Sequence, residues 1–123
     1  MTQEIKGSKY FKLDEFRCKC GCGQANIKQE LIDKLTIARE MAGVPFDIRR
    51  GSGYRCKSHN KAVGGANDSQ HLYGTAVDIP CFNSIDRFKI INSLLRAGFT
   101  GIGIAKNFVH GDIRDSTSVV WLY

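Results

Sequence analysis

The chain has 123 residues, 42% of them hydrophobic and 24% charged, with a formal net charge of +6. That length gives room for one domain spanning 1–123, large enough to bury roughly two-thirds of the surface its unfolded chain exposes and to fold without disulfides or a metal. No apolar run approaches the ~20 residues that cross a bilayer, which excludes a helical membrane span.

The basic balance points to a polyanionic neighbour, either nucleic acid or an anionic cell-wall polymer. The basic residues are spread along the chain, so charge alone selects neither. Met1 to Tyr10 is polar and lacks the apolar core of a secretory signal. The chain is therefore expected to act inside the cell that makes it, or to leave by another route. Next comes Cys18-Lys19-Cys20-Gly21-Cys22. The odd total of five cysteines argues against a fully paired disulfide framework. With Cys56 or Cys81 these three could form a structural four-cysteine zinc site. Their alternate-residue spacing, however, is unlike the two-residue gap that bends both sulfurs toward one ion. The expectation is reduced, partly buried thiols, or one local disulfide formed after release.

Ile27 to Ala42 reads as the first long helix, with Leu31, Ile32, Leu35, Ala38 and Met41 or Ala42 on one buried stripe, ended by Gly43 and Pro45. Phe46-Asp47-Ile48-Arg49 alternates like a short strand leading into Gly51-Ser52-Gly53. Gly64 to Asp68 is a loop by composition. Thr75 to Ile79 reads as a buried strand whose fourth residue is charged. A second helix is expected from Ser84 to Ala97, with Ile85, Phe88, Ile91, Leu94 and Leu95 inward and Gly98 as its cap. Gly101 to Ala105, Phe108 to Arg114 and Val119 to Tyr123 complete the strands. The sum is an α+β domain, a small antiparallel sheet with helices packed on one side.

Two of the three histidines lie near acidic residues set among apolar ones. In Ala76-Val77-Asp78-Ile79 a carboxylate sits where burial without a partner costs several kcal/mol. A metal ion is one such partner, and His71 reaches the same ion after a turn at Gly74. The plainer alternative pairs Asp78 with an arginine and leaves His71 on the surface. In Phe108-Val109-His110-Gly111-Asp112-Ile113-Arg114, a strand puts His110, Asp112 and Arg114 on one face and Val109 and Ile113 on the other. The plainer alternative there is a solvated ion pair. Two histidines and a carboxylate leave a fourth zinc position for water, the pattern of a catalytic site.

Ser52-Gly53-Tyr54-Arg55, His59-Asn60, Gly64-Gly65-Ala66, Ser69-Gln70-His71, Gly74, Ala76, Asp78-Ile79, and Phe108-Val109-His110 with Asp112 and Arg114 carry a resemblance over nearly the whole chain. Together they resemble the zinc D-alanyl-D-alanine peptidases, and more narrowly the short branch found in phage endolysins and bacterial wall hydrolases. Phe16 with the cysteine-glycine stretch, and Trp121, are similar to that branch as well. The resemblance implies a hedgehog/D-Ala-D-Ala-peptidase fold and one catalytic Zn2+ held by His71, Asp78 and His110. It implies that Arg55 steadies the substrate carbonyl or its oxyanion and that Ser69 contacts the substrate backbone. Many members carry an acidic residue three positions before the last histidine ligand, where this chain has Asn107. Asp112 is the substitute expected as general base, or else it only orients His110. His59 is expected to be structural or substrate-contacting.

The implied activity is hydrolysis of D-Ala-containing stem or cross-link peptides of bacterial peptidoglycan, by an endolysin-type endopeptidase made in the cytoplasm and acting on the wall after release. The alternatives are a D-Ala-D-Ala carboxypeptidase and a catalytically impaired zinc-containing wall-binding module. Nucleic-acid binding explains neither Asp78 nor the His110 strand and is not expected. A monomer is the default.

Overall fold

The computed structural model of the protein describes residues 6–20, 22, 26–48, 53–65 and 69–123. Helix α1 runs Gln29–Ala42 and buries Leu31, Ile32, Leu35, Ala38 and Ala42, the spacing of one helical stripe. Ala42, not Met41, completes that stripe, and Gly43 ends the helix in the left-handed region at φ 68°. Ile27 is buried just ahead of the first turn. After a turn at Leu13–Phe16, the short helix α2 spans Lys57–Ala62. A second 3-10 turn spans Gln70–Tyr73, and α3 runs Ser84–Arg96. Neither 3-10 turn nor α2 shows as periodicity in the sequence.

Helix α3 starts where Asn83 accepts the amide of Asp86 at 2.8 Å. It closes with Ala97 as cap and Gly98 beyond it at φ 98°. There the amides of Gly98 and Phe99 return to the carbonyls of Leu95 and Leu94. The buried face corrects the expectation: Ile90, Ser93 and Leu94 point inward, while Ile85 and Phe88 are 70% exposed and Leu95 is 49% exposed. Residues 85, 88 and 95 repeat at helical spacing as well as the true stripe does. Ser93 hides in the core because its hydroxyl donates to the Ile90 carbonyl at 2.8 Å, so a residue polar in sequence is satisfied in place.

Four strands follow: β1 Ala76–Pro80, β2 Gly101–Ile104, β3 Phe108–Asp112 and β4 Val119–Leu122, in the spatial order β1-β3-β2-β4. β3 pairs antiparallel with both β1 and β2, but β4 runs parallel to β2, so the sheet is mixed, not wholly antiparallel. Residues 113–118 carry the chain back to the start of β2, where the Val119 amide meets the Thr100 carbonyl at 2.9 Å. Phe46 and Ile48 are buried and alternate with exposed Asp47. They form no strand, because the Ile48 amide turns back to the Phe46 carbonyl. Arg49, Gly51, Ser52 and 66–68 of the expected loop lie outside the described residues.

Val77, Ile79, Ile102 and Val109 face the core shared with α1 and α3, which pack against each other. A Cβ on Gly111 would stand 3.1 Å from Leu94 and 3.2 Å from Phe99, so α3 and the segment after it lie tight on β3. The register pairs Asp78 with His110 and Ala76 with Asp112, which puts the chemistry-bearing side chains on the opposite face.

The packing of α3 is testable with two neighbouring leucines. Leu94→Ala is expected to lower unfolding free energy by about 2–5 kcal/mol, and Leu95→Ala by under about 1 kcal/mol, in urea melts. Equal losses would mean that the helix packs on the other face.

Candidate metal centre

His71 sits within the 3-10 turn that precedes β1. Its backbone amide donates to Ser69 Oγ at 3.3 Å, which starts that turn, and Gly74 at φ 70° ends it. No other residue fits at position 74: a Cβ there would run into the backbone of Asn26 and Ile27. The His71 ring is buried, with Nδ1 2.7 Å from the Gly53 carbonyl. A carbonyl only accepts, so Nδ1 carries the proton and the lone pair of Nε2 points the other way. That lone pair faces Asp78 Oδ2 at 3.4 Å.

From β3, His110 Nδ1 lies 3.0 Å from Asp78 Oδ1, and His110 Nε2 lies 2.7 Å from Asp112 Oδ2. The two imidazole rings stand edge to face, centroids 5.1 Å apart. One ligand atom from each of His71, Asp78 and His110 lies within 4.8 Å of the others. A tetrahedral zinc with bonds of about 2.0–2.2 Å separates its nitrogen and oxygen donors by roughly 3.3–3.5 Å. The observed 3.0 and 3.4 Å separations suit such an ion. Two imidazole nitrogens and one carboxylate oxygen are also a donor set zinc accepts.

Burial alone would raise the Asp78 carboxyl, but when the ring nitrogens that face it carry protons, hydrogen bonds and charge from His110 and His71 outweigh burial and hold it well below the usual carboxylate range. Burial likewise lowers His110, and Asp112 and Asp78 together reverse that and raise it. Asp112 is fully buried and its carboxylate is occupied: Arg114 donates Nε to Oδ1 at 2.9 Å, Nη2 to Oδ2 at 2.7 Å and its amide to Oδ1 at 3.2 Å. Desolvation would raise this carboxyl too, yet Arg114 and His110 keep it strongly depressed.

A cleft of about 620 Å³ opens onto the three candidate ligands. Arg55, Gly65, Ser69, Arg114, Trp121 and Tyr123 line it as well. The Nε of Arg55 is buried with no hydrogen-bond partner among the described residues. A Cβ on Gly65 would sit 2.9 Å from Arg55 Nη1 and overlap the Asn60 amide, so the glycine makes room for the guanidinium. Asp112 lies behind His110 and does not line the cleft. Neither does Asn107, which is exposed, nor His59, which donates its amide to Cys56 Sγ on α2.

The sequence did not reveal the aromatic wall. Trp121 packs its ring 5.1 Å from His110, the Arg114 guanidinium lies 5.1 Å from the centre of the same indole, and Tyr123 stacks near Phe108 at 5.0 Å. The available signal was β2: Gly101 and Gly103 alternate on the site face, and a Cβ on Gly103 would stand 2.7 Å from both Trp121 and Tyr123.

The family described as Peptidase M15 matches residues 9–112. The chain therefore belongs to that family, the zinc D-Ala-D-Ala peptidases. Membership supports a peptidase, a hydrolase of peptide bonds, and zinc dependence is general in the family. No curated protein matches the chain. Among the described residues, no helix is long and apolar enough to cross a membrane.

Asp112→Asn keeps the shape of the side chain but removes the charge that holds His110 and Arg114. It is expected to weaken zinc binding about 10–100-fold, measured by competition with a chromophoric chelator. Unchanged affinity in a folded variant would show that Asp112 plays no part in setting up His110.

Proposed function

We propose that residues 1–123 act as one zinc peptidase domain that cleaves peptide bonds of bacterial peptidoglycan, in D-Ala-containing stem or cross-link peptides. The observation that carries this reading is the convergence of His71 Nε2, the Asp78 carboxylate and His110 Nδ1 at metal-binding separations beneath an open cleft. Zinc, when bound, supplies Lewis acidity toward a scissile carbonyl and toward water.

The chain's own residues do the rest. His71 and His110 present their lone pairs because Gly53 and Asp112 hold the opposite ring nitrogens. Arg55 lines the cleft and its buried Nε has no hydrogen-bond partner among the described residues, which suits its guanidinium to steady the carbonyl oxygen as negative charge develops there. Ser69 keeps its hydroxyl proton while its oxygen accepts the His71 amide, so it can donate to a substrate carbonyl. We assign Asp112 to the reaction through His110, as a positioning residue and not as the proton acceptor. Its burial and its three bonds from Arg114 favour that role.

Endopeptidase cleavage is preferred over carboxypeptidase action. A free C-terminal carboxylate calls for a second cation, and the other guanidinium of the cleft, Arg114, is committed to Asp112 and Trp121. The endolysin-type setting, with action on the wall after release and a monomeric chain, belongs to the same proposal. One observation favours a different reading, a zinc-containing wall-binding module with impaired catalysis. Asn107 replaces the acidic residue many members carry, and among the described cleft residues Asp78 is the one carboxylate.

Incubation with purified peptidoglycan separates the two. The peptidase is expected to release new peptide termini, read by mass spectrometry, with activity lost to chelator and restored by zinc. Arg55→Ala should lower kcat roughly 10²–10³-fold at unchanged zinc content. A folded, zinc-loaded protein that binds wall and releases nothing would establish the module instead.

A further inference from the structure

The cysteines that the sequence left as plain thiols converge in space. The sulfurs of Cys18, Cys20, Cys22 and Cys56 all lie within 4.8 Å of one another. Cys20 Sγ is 3.5 Å from Cys18 Sγ and 3.5 Å from Cys56 Sγ, and none of the four is in a disulfide. A disulfide needs about 2.05 Å between sulfurs. A tetrahedral zinc site with bonds of about 2.3 Å places them roughly 3.8 Å apart. The observed spacing is that of ligands around an ion.

We propose that Cys18, Cys20, Cys22 and Cys56 bind a structural zinc ion, separate from the ion at the histidine site. Four sulfur donors form a closed, soft ligand set with no position left for substrate, the arrangement of structural zinc. Two backbone amides already point at these sulfurs: Cys56 N–H at Cys18 Sγ, 3.4 Å, and His59 N–H at Cys56 Sγ, 3.5 Å. Such donors stabilise thiolates, the form that binds metal. The alternate-residue spacing that counted against the site is overcome by the turn at Lys19 and Cys20, which folds the sulfurs together. Cys81 is no part of the cluster; it is buried elsewhere and its thiol donates to the Asn83 carbonyl.

The location gives the ion a task. Cys56 directly follows Arg55, and the stretch 53–56 is anchored at several points. The Tyr54 amide donates to the Phe16 carbonyl at 3.0 Å, the Arg55 amide donates to the His71 carbonyl at 3.1 Å, and the Gly53 carbonyl sets the His71 ring. An ion tying Cys56 to the 18–22 segment holds this stretch from its other side. It thereby fixes where Arg55 enters the cleft and how His71 is oriented. The inference stands on the sulfur geometry and does not depend on the substrate or the reaction.

The test is cobalt substitution of the full chain, purified reduced and stripped of metal. The histidine site contains no sulfur, so thiolate-to-cobalt charge-transfer absorption in the near ultraviolet reports on the cysteines alone. A band of four-thiolate intensity that bleaches when zinc is added supports the proposal. So does a zinc content of two ions per chain, falling to one in C20S/C22S and to one in H71A/H110A. With zinc bound, the four thiols should resist a chromogenic disulfide reagent until a mercurial displaces the metal. A folded protein that shows no charge-transfer band and has freely reactive thiols overturns it. So does one whose intact mass shows the loss of two hydrogens to a disulfide in place of bound zinc.

Discussion

The arrangement of the molecule turns on the pairing of Asp78 with His110 across β1 and β3. A carboxylate in the middle of Ala76-Val77-Asp78-Ile79 is costly in a sheet packed on its other face by Val77 and Ile79. Both nearest histidines turn a ring nitrogen toward it, at 3.0 and 3.4 Å, and a proton or a metal ion between them and the carboxylate offsets that cost. The same pairing leaves no freedom in register. A slip of one residue would bring Val77 or Ile79 to the cleft and drive Asp78 into the core. The β1–β3 ladder thus separates an apolar face for the helices from a polar face for chemistry, and the rest of the site is arranged around that division.

Glycines on β2 make the polar face deep enough to use. Asp112 occupies the space above Gly101, where any Cβ would collide with its carboxylate. Trp121 and Tyr123 close over Gly103 in the same way. The parallel attachment of β4 matters for this reason. Pairing Gly103 with Trp121 delivers the indole beside His110, where it covers the ring and stacks against Arg114. Arg114 in turn neutralises Asp112, so the layers behind the candidate ligands form one connected polar network at the base of the cleft.

Sequence reasoning reached the parts governed by local rules. Helix α1 was legible because its apolar stripe is unambiguous and Gly43 stops it. The strands bearing Asp78 and His110 were legible because a charged residue in an apolar run demands a partner. The inward face of α3 was not, since Ile85, Phe88 and Leu95 form as regular a stripe as Ile90 and Leu94, and only tertiary packing chooses between them. The parallel β4, the aromatic wall and the meeting of Cys56 with Cys18, Cys20 and Cys22 depend on contacts between residues far apart in the chain. No periodicity encodes those. The role of Asp112 falls between the two cases: its strand face was readable, but its enclosure by Arg114 on one side and His110 on the other was not.

The electrostatics of the site point the same way as its geometry. Asp78 and Asp112 bring two negative charges to a buried region, and Arg114 answers only one of them. His110 lies between the two carboxylates, and its raised proton affinity expresses the field they create. In the site proposed above, a cation would sit beside Asp78 on the Nδ1 side of His110, where His71 also directs its Nε2. With that cation bound, the Asp112 carboxylate would hold the proton on Nε2 of His110 and leave Nδ1 as the ligand. In the positioning role proposed for Asp112, the carboxylate orients the imidazole by staying ionised, whereas a proton acceptor in the reaction must take up the proton.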